Sequence, residues 1–392
     1  MKDRLREIII SITNRCNLKC LMCQIPQISV NLEMTTAELK NLIQDAAGLN
    51  PNSIVFSGGE PLLRSDIFEL IVFVNQHKIN TCLTSNGTLI DDNTASRLKS
   101  AGVGVVNISI EGPEKIHDAL RGEKSFTKAA QALKKLSRYK IETTIASIIC
   151  RQNYKFLPYI LELARYSGVT TVKFQPFSEI FLIEKEGKRN FFADEHQLEE
   201  IRRSIARAVK LAEKYKISTN PVNYLNAVPE YLCGIEQKLP QNSCSALRTS
   251  CPISAQGDVY PCWVLSRMCL GNVRKTRLSD IWNSDEHNRL RQLIVRDGCP
   301  GCLMSCYDYN LGKQGLKETL SLKAQKLKKA GFYKRLYYRN YQFLRYSLNK
   351  ITNCFLNFTR LPKRPVSDKS GLLDEIRAAQ VKLTKELKRL KK

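Results

Sequence analysis

The chain has 392 residues, 43% of them apolar, and carries 62 Lys and Arg against 37 Asp and Glu, a formal net charge of +25. This length and apolar content predict a large core divided among two or three domains, which excludes a small module or a disordered protein. The first residues lack a secretory hydrophobic segment, and no apolar stretch is long enough to predict a transmembrane helix. We therefore expect a cytoplasmic protein whose positive charge favours an anionic partner.

Six short, apolar or β-branched segments in the first 215 residues predict strands at 7–12, 53–57, 80–84, 105–110, 141–149 and 171–175. Helical patterns lie between them at 36–47, 66–77, 91–101, 125–139 and 156–167, with Asp66 and Asp91 as expected capping residues. This alternation predicts an α/β fold with a parallel sheet and crossover helices. Functional residues are then expected on the loops that follow the carboxyl ends of the strands.

Three cysteines follow the first predicted strand in the spacing Cys-x3-Cys-x2-Cys, at Cys16, Cys20 and Cys23. Three thiolates on one loop can bind a 4Fe–4S cluster and leave one iron corner open. A structural zinc site needs four protein ligands, and no fourth lies nearby in the sequence. Zinc and a chance grouping of cysteines are the weaker alternatives on spacing alone.

This cysteine spacing resembles the motif of the radical S-adenosylmethionine (SAM) superfamily, and the resemblance extends over residues 7–180. Three later segments match the family's SAM-binding segments, one after each of the next three predicted strands: Gly58-Gly59-Glu60, Thr84-Ser85-Asn86-Gly87 and Asn107-Ile108-Ser109-Ile110-Glu111-Gly112. A His-Asp-x-x-Arg-Gly segment follows at 117–122. The resemblance implies a partial (β/α)6 TIM-like barrel and these SAM-binding residues: Gly58, Gly59, Glu60, Ser85, Asn86, Ser109, Glu111 and Arg121.

The matching segments carry expectations for single residues. The resemblance implies that Glu60 accepts from the amino group of SAM, while Arg121 pairs with a carboxylate, either that of SAM or that of a nearby Glu. Glu111 stands where the family more often has Asp. His117 is expected to be a structural helix residue. Met22 precedes the third cysteine, where an aromatic residue is common, and its thioether can cover the adenine ring.

The resemblance implies reductive cleavage of SAM at the cluster to methionine and a 5′-deoxyadenosyl radical, which takes a hydrogen atom from the substrate. The sequence names no general acid or base. Glu111, Gln175 and Tyr224 are candidates for the cavity, and a core or surface role is the alternative for each.

A second group of eight cysteines lies between residues 233 and 306. A Gly257-Asp258 turn predicts a hairpin that brings Cys244 close to Cys262, and the Cys-x2-Cys pair at Cys299 and Cys302 can complete a four-thiolate site. The spacing alone supports zinc and iron–sulfur equally.

This region resembles the SPASM or twitch extension of radical SAM enzymes, which implies that Cys244, Cys262, Cys299 and Cys302 bind one auxiliary 4Fe–4S cluster. The longer cysteine run of the two-cluster version is missing, so we expect a single auxiliary cluster. Three further cysteines are alternative ligands: Cys251, Cys269 and Cys306. The apolar context of Cys251 favours a small buried residue.

Residues 313–392 contain 22 Lys and Arg and 5 Asp and Glu, a net +17, and leave +8 for the first 312 residues. We therefore predict three domains: a radical SAM core at 1–215, a SPASM/twitch domain at 216–312 and a basic, mostly helical extension at 313–392. The extension fits a solvated helical appendage, a helix on the inner face of an anionic membrane, or a nucleic-acid-binding segment, the last being the least favoured.

These features predict a radical SAM enzyme that oxidatively modifies a peptide or a sugar or polyol, with the auxiliary cluster either binding the substrate or accepting an electron. A small reductant protein, such as a flavodoxin or ferredoxin, is the expected electron donor. The alternative is a non-catalytic iron–sulfur scaffold or a nucleic-acid-binding protein that uses the basic extension.

Overall fold

The structure is a computed structural model, and it describes residues 4–28, 30–179, 190–235, 245–297 and 302–304. These residues all belong to the unit Met1–Ala324. The predictions for the basic extension, and those for Cys244, Cys299 and Cys306, fall outside the described residues.

Six parallel strands form the larger part of a single sheet, in the spatial order β6-β5-β4-β3-β2-β1. They are β1 (Glu7–Thr13), β2 (Ser53–Gly58), β3 (Asn80–Ser85), β4 (Val105–Ser109), β5 (Glu142–Ile149) and β6 (Thr171–Pro176). Parallel neighbours in sequence order require a crossover between each pair, which the helices supply.

Three short strands from the cysteine-rich region continue the same sheet beyond β1. They are β7 (Ser250–Ile253), β8 (Asp258–Val259) and β9 (Gly271–Asn272). Strand β7 runs parallel to β1, and β8 and β9 follow in antiparallel pairs. Among the described residues the sheet runs from β6 to β9 without closing. The core barrel is therefore partial, and the cysteine-rich region shares its sheet.

The crossover helices are α1 (Thr36–Gly48), α2 (Ile67–Gln76), α3 (Asp92–Ala101), α4 (Glu114–Arg121), α5 (Ser125–Arg138) and α6 (Leu157–Tyr166). Helices α7 (Leu198–Tyr215) and α8 (Val222–Leu232) follow β6 and pack on each other and on α6 and β6. The cysteine-rich region adds α9 (Ala246–Thr249), α10 (Leu278–Trp282) and α11 (Asp285–Asp297).

The core lies between the parallel strands and the helices that cover them. Strand β1 contributes Ile8, Ile10 and Ile12, all fully buried, and β2 contributes Ile54 and Phe56 beside them. Strands buried on both faces are expected to be apolar runs rather than alternating patterns, as in Glu7–Thr13. This fixed core gives the loops at the carboxyl ends of the strands a rigid base.

All six predicted strands and all five predicted helices are confirmed, each within one residue at either end. Asp91 caps its helix by accepting from the Thr94 amide. Asp66 was wrongly predicted as a cap: its carboxylate pairs with the Arg64 guanidinium and accepts from Thr36 Oγ1. His117 was expected on a helix, but the bounds of α4 were not predicted, because its eight residues are too few to display a clear helical period.

Among the described residues, no helix combines the length and the apolar content that crossing a bilayer would need.

Candidate active site

The loop that holds Cys16, Cys20 and Cys23 leaves the carboxyl end of β1 and returns to α1 near Met34. The segments after β2, β3 and β4 lie along the same edge of the sheet, because parallel strands end together. The structure therefore brings the cysteine loop and the three predicted SAM-binding segments to one edge, as the sequence predicted.

Buried side chains fix both ends of this loop. The Glu33 carboxylate accepts from the Asn14 amide at 2.6 Å and from Thr13 Oγ1 at 3.0 Å. Arg64, which is 8% exposed, donates from Nη1 to the Ile12 carbonyl at 3.1 Å and to the Met34 carbonyl at 3.0 Å. One guanidinium thus joins the residue before the loop to the residue after it.

The two glycines after β2 are required by the close approach of this same loop. Gly58 has a φ of +117°, and a Cβ there would lie 2.3 Å from the Thr13 carbonyl oxygen. A Cβ on Gly59 would lie 2.1 Å from the Arg15 carbonyl oxygen. The glycines were predicted to admit a ligand, and the structure places the backbone just before Cys16 against them. Hydrogen bonds from the Gly59 amide to the Thr13 carbonyl (2.7 Å) and from the Glu60 amide to the Arg15 carbonyl (2.8 Å) hold this contact.

Glu60 is fully buried, and donors from its own chain surround its carboxylate. Ser85 Oγ donates to Oε1 at 2.9 Å and the Asn86 amide donates to Oε2 at 2.8 Å, with the Leu62 amide 3.2 Å from Oε1. Burial raises the pKa of Glu60 to about 7, and the donated hydrogen bonds oppose that rise. Glu60 therefore joins the turns after β2 and β3. A carboxylate offers about four lone-pair sites, and these three donors occupy three of them.

Asn86 connects the turn after β3 to the cysteine loop. Its Nδ2 donates to Asn17 Oδ1 at 2.9 Å and lies 4.0 Å from Cys16 Sγ. Asn17 in turn donates to Thr88 Oγ1 at 2.8 Å, and Thr88 donates back to Asn86 Oδ1. This closed network positions the first cysteine.

Ser109 and Glu111 stand at the end of β4, where Ser109 is largely buried. Glu111 is fully buried and pairs with Arg121, at 2.6 Å from Oε1 to Nη2. Of the two partners that the sequence left open for Arg121, the structure shows the nearby Glu. The remaining guanidinium nitrogen, Nη1, lies 3.9 Å from Cys20 Sγ.

His117 has the structural role expected from the sequence. It is fully buried on α4, accepts from the Glu111 amide through Nδ1 at 3.2 Å, and contacts the Phe126 ring edge-on. Burial lowers the pKa of His117 to about 3, so the imidazole is neutral. Met22 is also buried, at 3% exposure, whereas Leu21 beside it is 62% exposed.

The donor set of the loop fits an iron–sulfur cluster. Burial raises the pKa of all three thiols, Cys16, Cys20 and Cys23, and the charge of Arg121 opposes that rise at each one. Within the part of the chain that the structure describes, no three His, Cys, Asp or Glu side chains converge as a single metal ion would require. The three donors are thiolate sulfurs, the ligands that 4Fe–4S clusters take, and each would bind a different iron.

Of the four cysteines predicted to bind the auxiliary cluster, the described residues include Cys262 and Cys302. Cys262 and Cys302 are both buried, at 4% and 6% exposure. The predicted hairpin is confirmed: β7 and β8 pair around Gly257, whose φ is +89°. Cys251 is fully buried in β7, as expected of a small core residue. Cys269 is exposed, with its Sγ 3.2 Å from the Gly271 carbonyl.

Tyr224, a candidate for the cavity, instead supports the auxiliary region. Its hydroxyl is buried and donates to the Leu303 carbonyl at 2.6 Å, next to Cys302. Helix α8 packs on β6, so this bond ties the Cys302 segment to the barrel. This role could not be predicted from the sequence, because Tyr224 and Leu303 are 79 positions apart. Gln175 lies on β6 and is partly exposed.

The two cysteine regions are also joined directly. The Met34 amide, at the end of the cysteine loop, donates to the Ala255 carbonyl in the β7–β8 turn at 2.8 Å. On the outer surface Arg274 pairs with Glu38 at 2.8 Å, and Arg277 pairs with Asp45 at 3.1 Å. The backbone bond thus fixes the β7–β8 hairpin against the cysteine loop, and the two ion pairs fix the segment after β9 against α1.

Comparison with known proteins agrees with this arrangement. The model of the radical SAM superfamily matches residues 10–164, and that of the SPASM iron–sulfur cluster-binding domain matches residues 244–307. The Fe-coproporphyrin III synthase of Methanosarcina barkeri is 30% identical over 309 residues, 73% of this chain and 76% of that protein. The PqqA peptide cyclase of Granulibacter bethesdensis is 27% identical over 288 residues, 70% and 73% of the two chains.

The solved structure of anSMEcpe with bound AdoMet has the same fold, with a TM-score of 0.61 at 21% identity. The structural match covers 81% of this chain and 96% of the anSMEcpe chain. The fold, the cysteine loop and the SPASM region define an iron–sulfur enzyme that uses SAM. The chain belongs to the radical SAM superfamily, as a SPASM-containing member. Its cofactors are a 4Fe–4S cluster, SAM and auxiliary iron–sulfur centres.

Proposed function

We propose that this enzyme carries out an oxidative modification, in which a hydrogen atom is taken from an organic substrate and the auxiliary cluster accepts the remaining electron. Cys16, Cys20 and Cys23 would hold the SAM-binding cluster, and Cys244, Cys262, Cys299 and Cys302 would hold one auxiliary cluster. When bound, cluster and SAM supply a 5′-deoxyadenosyl radical. The observation that carries this proposal is the placement of the cysteine loop against the turns after β2, β3 and β4.

The residues of the chain would bind and orient the cofactors. The segments at Gly58, Gly59, Ser85, Asn86 and Ser109 would face SAM. Glu60 would offer its remaining lone pair to the ammonium group. The hydrogen bonds that already hold Glu60 would fix the direction of that contact in advance.

The connection between the two regions supports the electron-accepting role of the auxiliary cluster. Tyr224 holds the Cys302 segment against α8, and α8 packs on β6 at the open side of the barrel. Met34 and Ala255 join the hairpin to the cysteine loop. Fixed positions for the two cysteine regions would keep the distance between the two clusters constant, as electron transfer between them requires.

A peptide is one proposed substrate class, together with the sugars or polyols that the sequence suggested. The similarity to the PqqA peptide cyclase supports the peptide. A small reductant protein such as a flavodoxin or ferredoxin would supply the electron that starts the reaction.

A tetrapyrrole is the second candidate, because the 30% identical relative is named as a coproporphyrin synthase. The net charge of +8 on the first 312 residues would favour the carboxylates of such a molecule.

Substrate-dependent formation of 5′-deoxyadenosine tests these classes against each other. Purified enzyme, reconstituted without oxygen and reduced with dithionite, is mixed with SAM and a peptide pool, a polyol pool or a pool of iron tetrapyrroles. The correct substrate class raises the rate of 5′-deoxyadenosine formation above the substrate-free rate, and mass spectrometry shows a product whose mass differs from that of the substrate. A class that leaves both quantities at the substrate-free level is excluded.

Iron analysis tests the number of clusters. One auxiliary cluster predicts about eight irons per chain, because each 4Fe–4S cluster contains four. About four irons in the fully reconstituted enzyme would remove the auxiliary cluster from the proposal, and about twelve would require a second one.

A further inference from the structure

The end of helix α4 lies directly on the cysteine loop. The Leu21 amide donates to the Leu120 carbonyl at 2.9 Å, which fixes the loop at the residue after Cys20. Arg121 is the last residue of the helix, and its side chain is 12% exposed. Its Nη1 lies 3.9 Å from Cys20 Sγ, within reach of an N–H···S hydrogen bond.

Glu111 determines which guanidinium nitrogen faces the sulfur. Nε and Nη2 of Arg121 both bond to Glu111 Oε1, at 2.8 and 2.6 Å. The other carboxylate oxygen accepts from the Ile148 amide at 2.8 Å and from Ser147 Oγ at 3.3 Å. Residues of β5 therefore fix the Glu111 carboxylate. The carboxylate binds Nε and Nη2 of Arg121, so Nη1 is the guanidinium nitrogen that faces Cys20.

We propose that Arg121 tunes the reduction potential of the cluster ligated by Cys20, and that Glu111 positions Arg121 for this purpose. The inference rests on the proposed function, in which Cys20 is a cluster ligand. Hydrogen bonds to cluster sulfurs and nearby charge set such potentials. A positive donor at Cys20 stabilises the reduced cluster, which carries one more negative charge. The buried negative charge of Glu111 partly cancels this effect.

The two partners should therefore shift the potential in opposite directions. Arg121→Gln removes the positive charge and lowers the midpoint potential. Glu111→Gln removes the negative charge but keeps a side-chain oxygen that can accept from Nε and Nη2 of Arg121, so the guanidinium stays in place and the midpoint potential rises. We expect about a tenfold change in the ratio of reduced to oxidised cluster at fixed potential, which equals about 59 mV for one electron. Arg138→Gln is the matched control, because it removes from α5 an Arg that forms an exposed ion pair with Asp92 of α3.

The midpoint potential is measured by redox titration, followed by the EPR signal of the reduced cluster that responds to added SAM. The iron content of each variant is determined in parallel. Only a cluster with an open iron responds to SAM, so the auxiliary signal does not interfere. Arg121→Lys is included because it keeps the charge without the fork. It should retain iron and shift the potential less than Arg121→Gln.

Opposite shifts in the two glutamine variants, with Arg138→Gln unchanged, support the proposal. Shifts of the same sign, or none, at normal iron content overturn it. Cys20→Ala separates this failure from failure of the proposed function. If Cys20→Ala keeps the SAM-responsive signal, Cys20 is not a ligand and the proposed function fails. If it loses the signal while the opposite shifts are absent, only the tuning role fails.

Discussion

Replacing Gly59 with alanine should disable the SAM-binding cluster without touching any of its ligands. The new Cβ would lie 2.1 Å from the Arg15 carbonyl oxygen and 2.6 Å from its carbon. Because real Cβ contacts are not shorter than 3.0 Å, the backbone before Cys16 must retreat by about 1 Å. A displacement of this size at a reactive site costs roughly 100-fold in rate.

The retreat also stretches two backbone hydrogen bonds, from Gly59 to Thr13 and from Glu60 to Arg15. At about 1 kcal/mol each, their loss destabilises the fold by about 2 kcal/mol. The assay compares iron content, 5′-deoxyadenosine formation and the thermal unfolding midpoint. We expect a lower midpoint, a depleted SAM-responsive EPR signal and a rate reduced roughly 100-fold.

Gly48→Ala is the matched control. Gly48 ends α1, and a Cβ there would meet nothing within 4 Å. Alanine is favoured over glycine in a helix by about 0.5–1 kcal/mol, so this variant should keep its activity and unfold at the same or a higher temperature. If Gly59→Ala has the iron content and rate of the wild type, the account of how the glycine turn holds the cysteine loop is refuted.

Three other predictions follow from buried polar contacts. The difference in unfolding free energy between the wild type and His117→Gln should shrink as the pH falls. The pKa of His117 is lowered to about 3 in the folded state, so the neutral imidazole contributes its full stability above about pH 6.5 and loses it as the pH falls toward 3. Urea unfolding of the apo-protein between pH 7 and pH 4 measures this, and a constant difference would contradict the buried, neutral imidazole. Tyr224→Phe should cost about 1–3 kcal/mol by leaving the Leu303 carbonyl unpaired, and should speed the chelator-induced loss of auxiliary iron. Tyr166→Phe, at an exposed position, is its control, and equal iron loss in the two variants would argue against the anchoring role. Arg64→Lys should lower the occupancy of the SAM-binding cluster, since a single ammonium cannot reproduce the contacts to Ile12, Met34 and Asp66. Iron analysis of a chain that lacks the auxiliary ligands measures this occupancy, and an unchanged iron content would contradict the role of Arg64.

The sequence was sufficient for the barrel because its strands and helices are specified by local patterns. The apolar run of β1, for example, needs no information from elsewhere in the chain. The same holds for the cysteine loop, whose three cysteines lie within eight residues of each other. The continuation of the sheet by β7 could not be foreseen, since it depends on pairing Glu7 with Ser250 across most of the chain.

The roles of single site residues were harder to predict because they depend on long-range contacts. Asp66 has the position of a helix cap, but Arg64 takes its carboxylate. Gly59 is required by the Arg15 backbone, 44 positions away, and no motif records that approach. Arg121 was expected to pair with the carboxylate of SAM or of a nearby Glu, and only the fold shows that this Glu is Glu111 and that Nη1 of Arg121 faces Cys20.

The central claim is that the three loop cysteines hold the cluster at which SAM is cleaved. The most direct measurement compares wild-type enzyme, reconstituted without oxygen, with a variant in which Cys16, Cys20 and Cys23 are all alanine. Iron content and 5′-deoxyadenosine formation under dithionite are determined for both. The account predicts 5′-deoxyadenosine from the wild type only, and about four irons retained by the variant in its auxiliary cluster. Formation of 5′-deoxyadenosine by the triple variant, or none from fully loaded wild type, would contradict it.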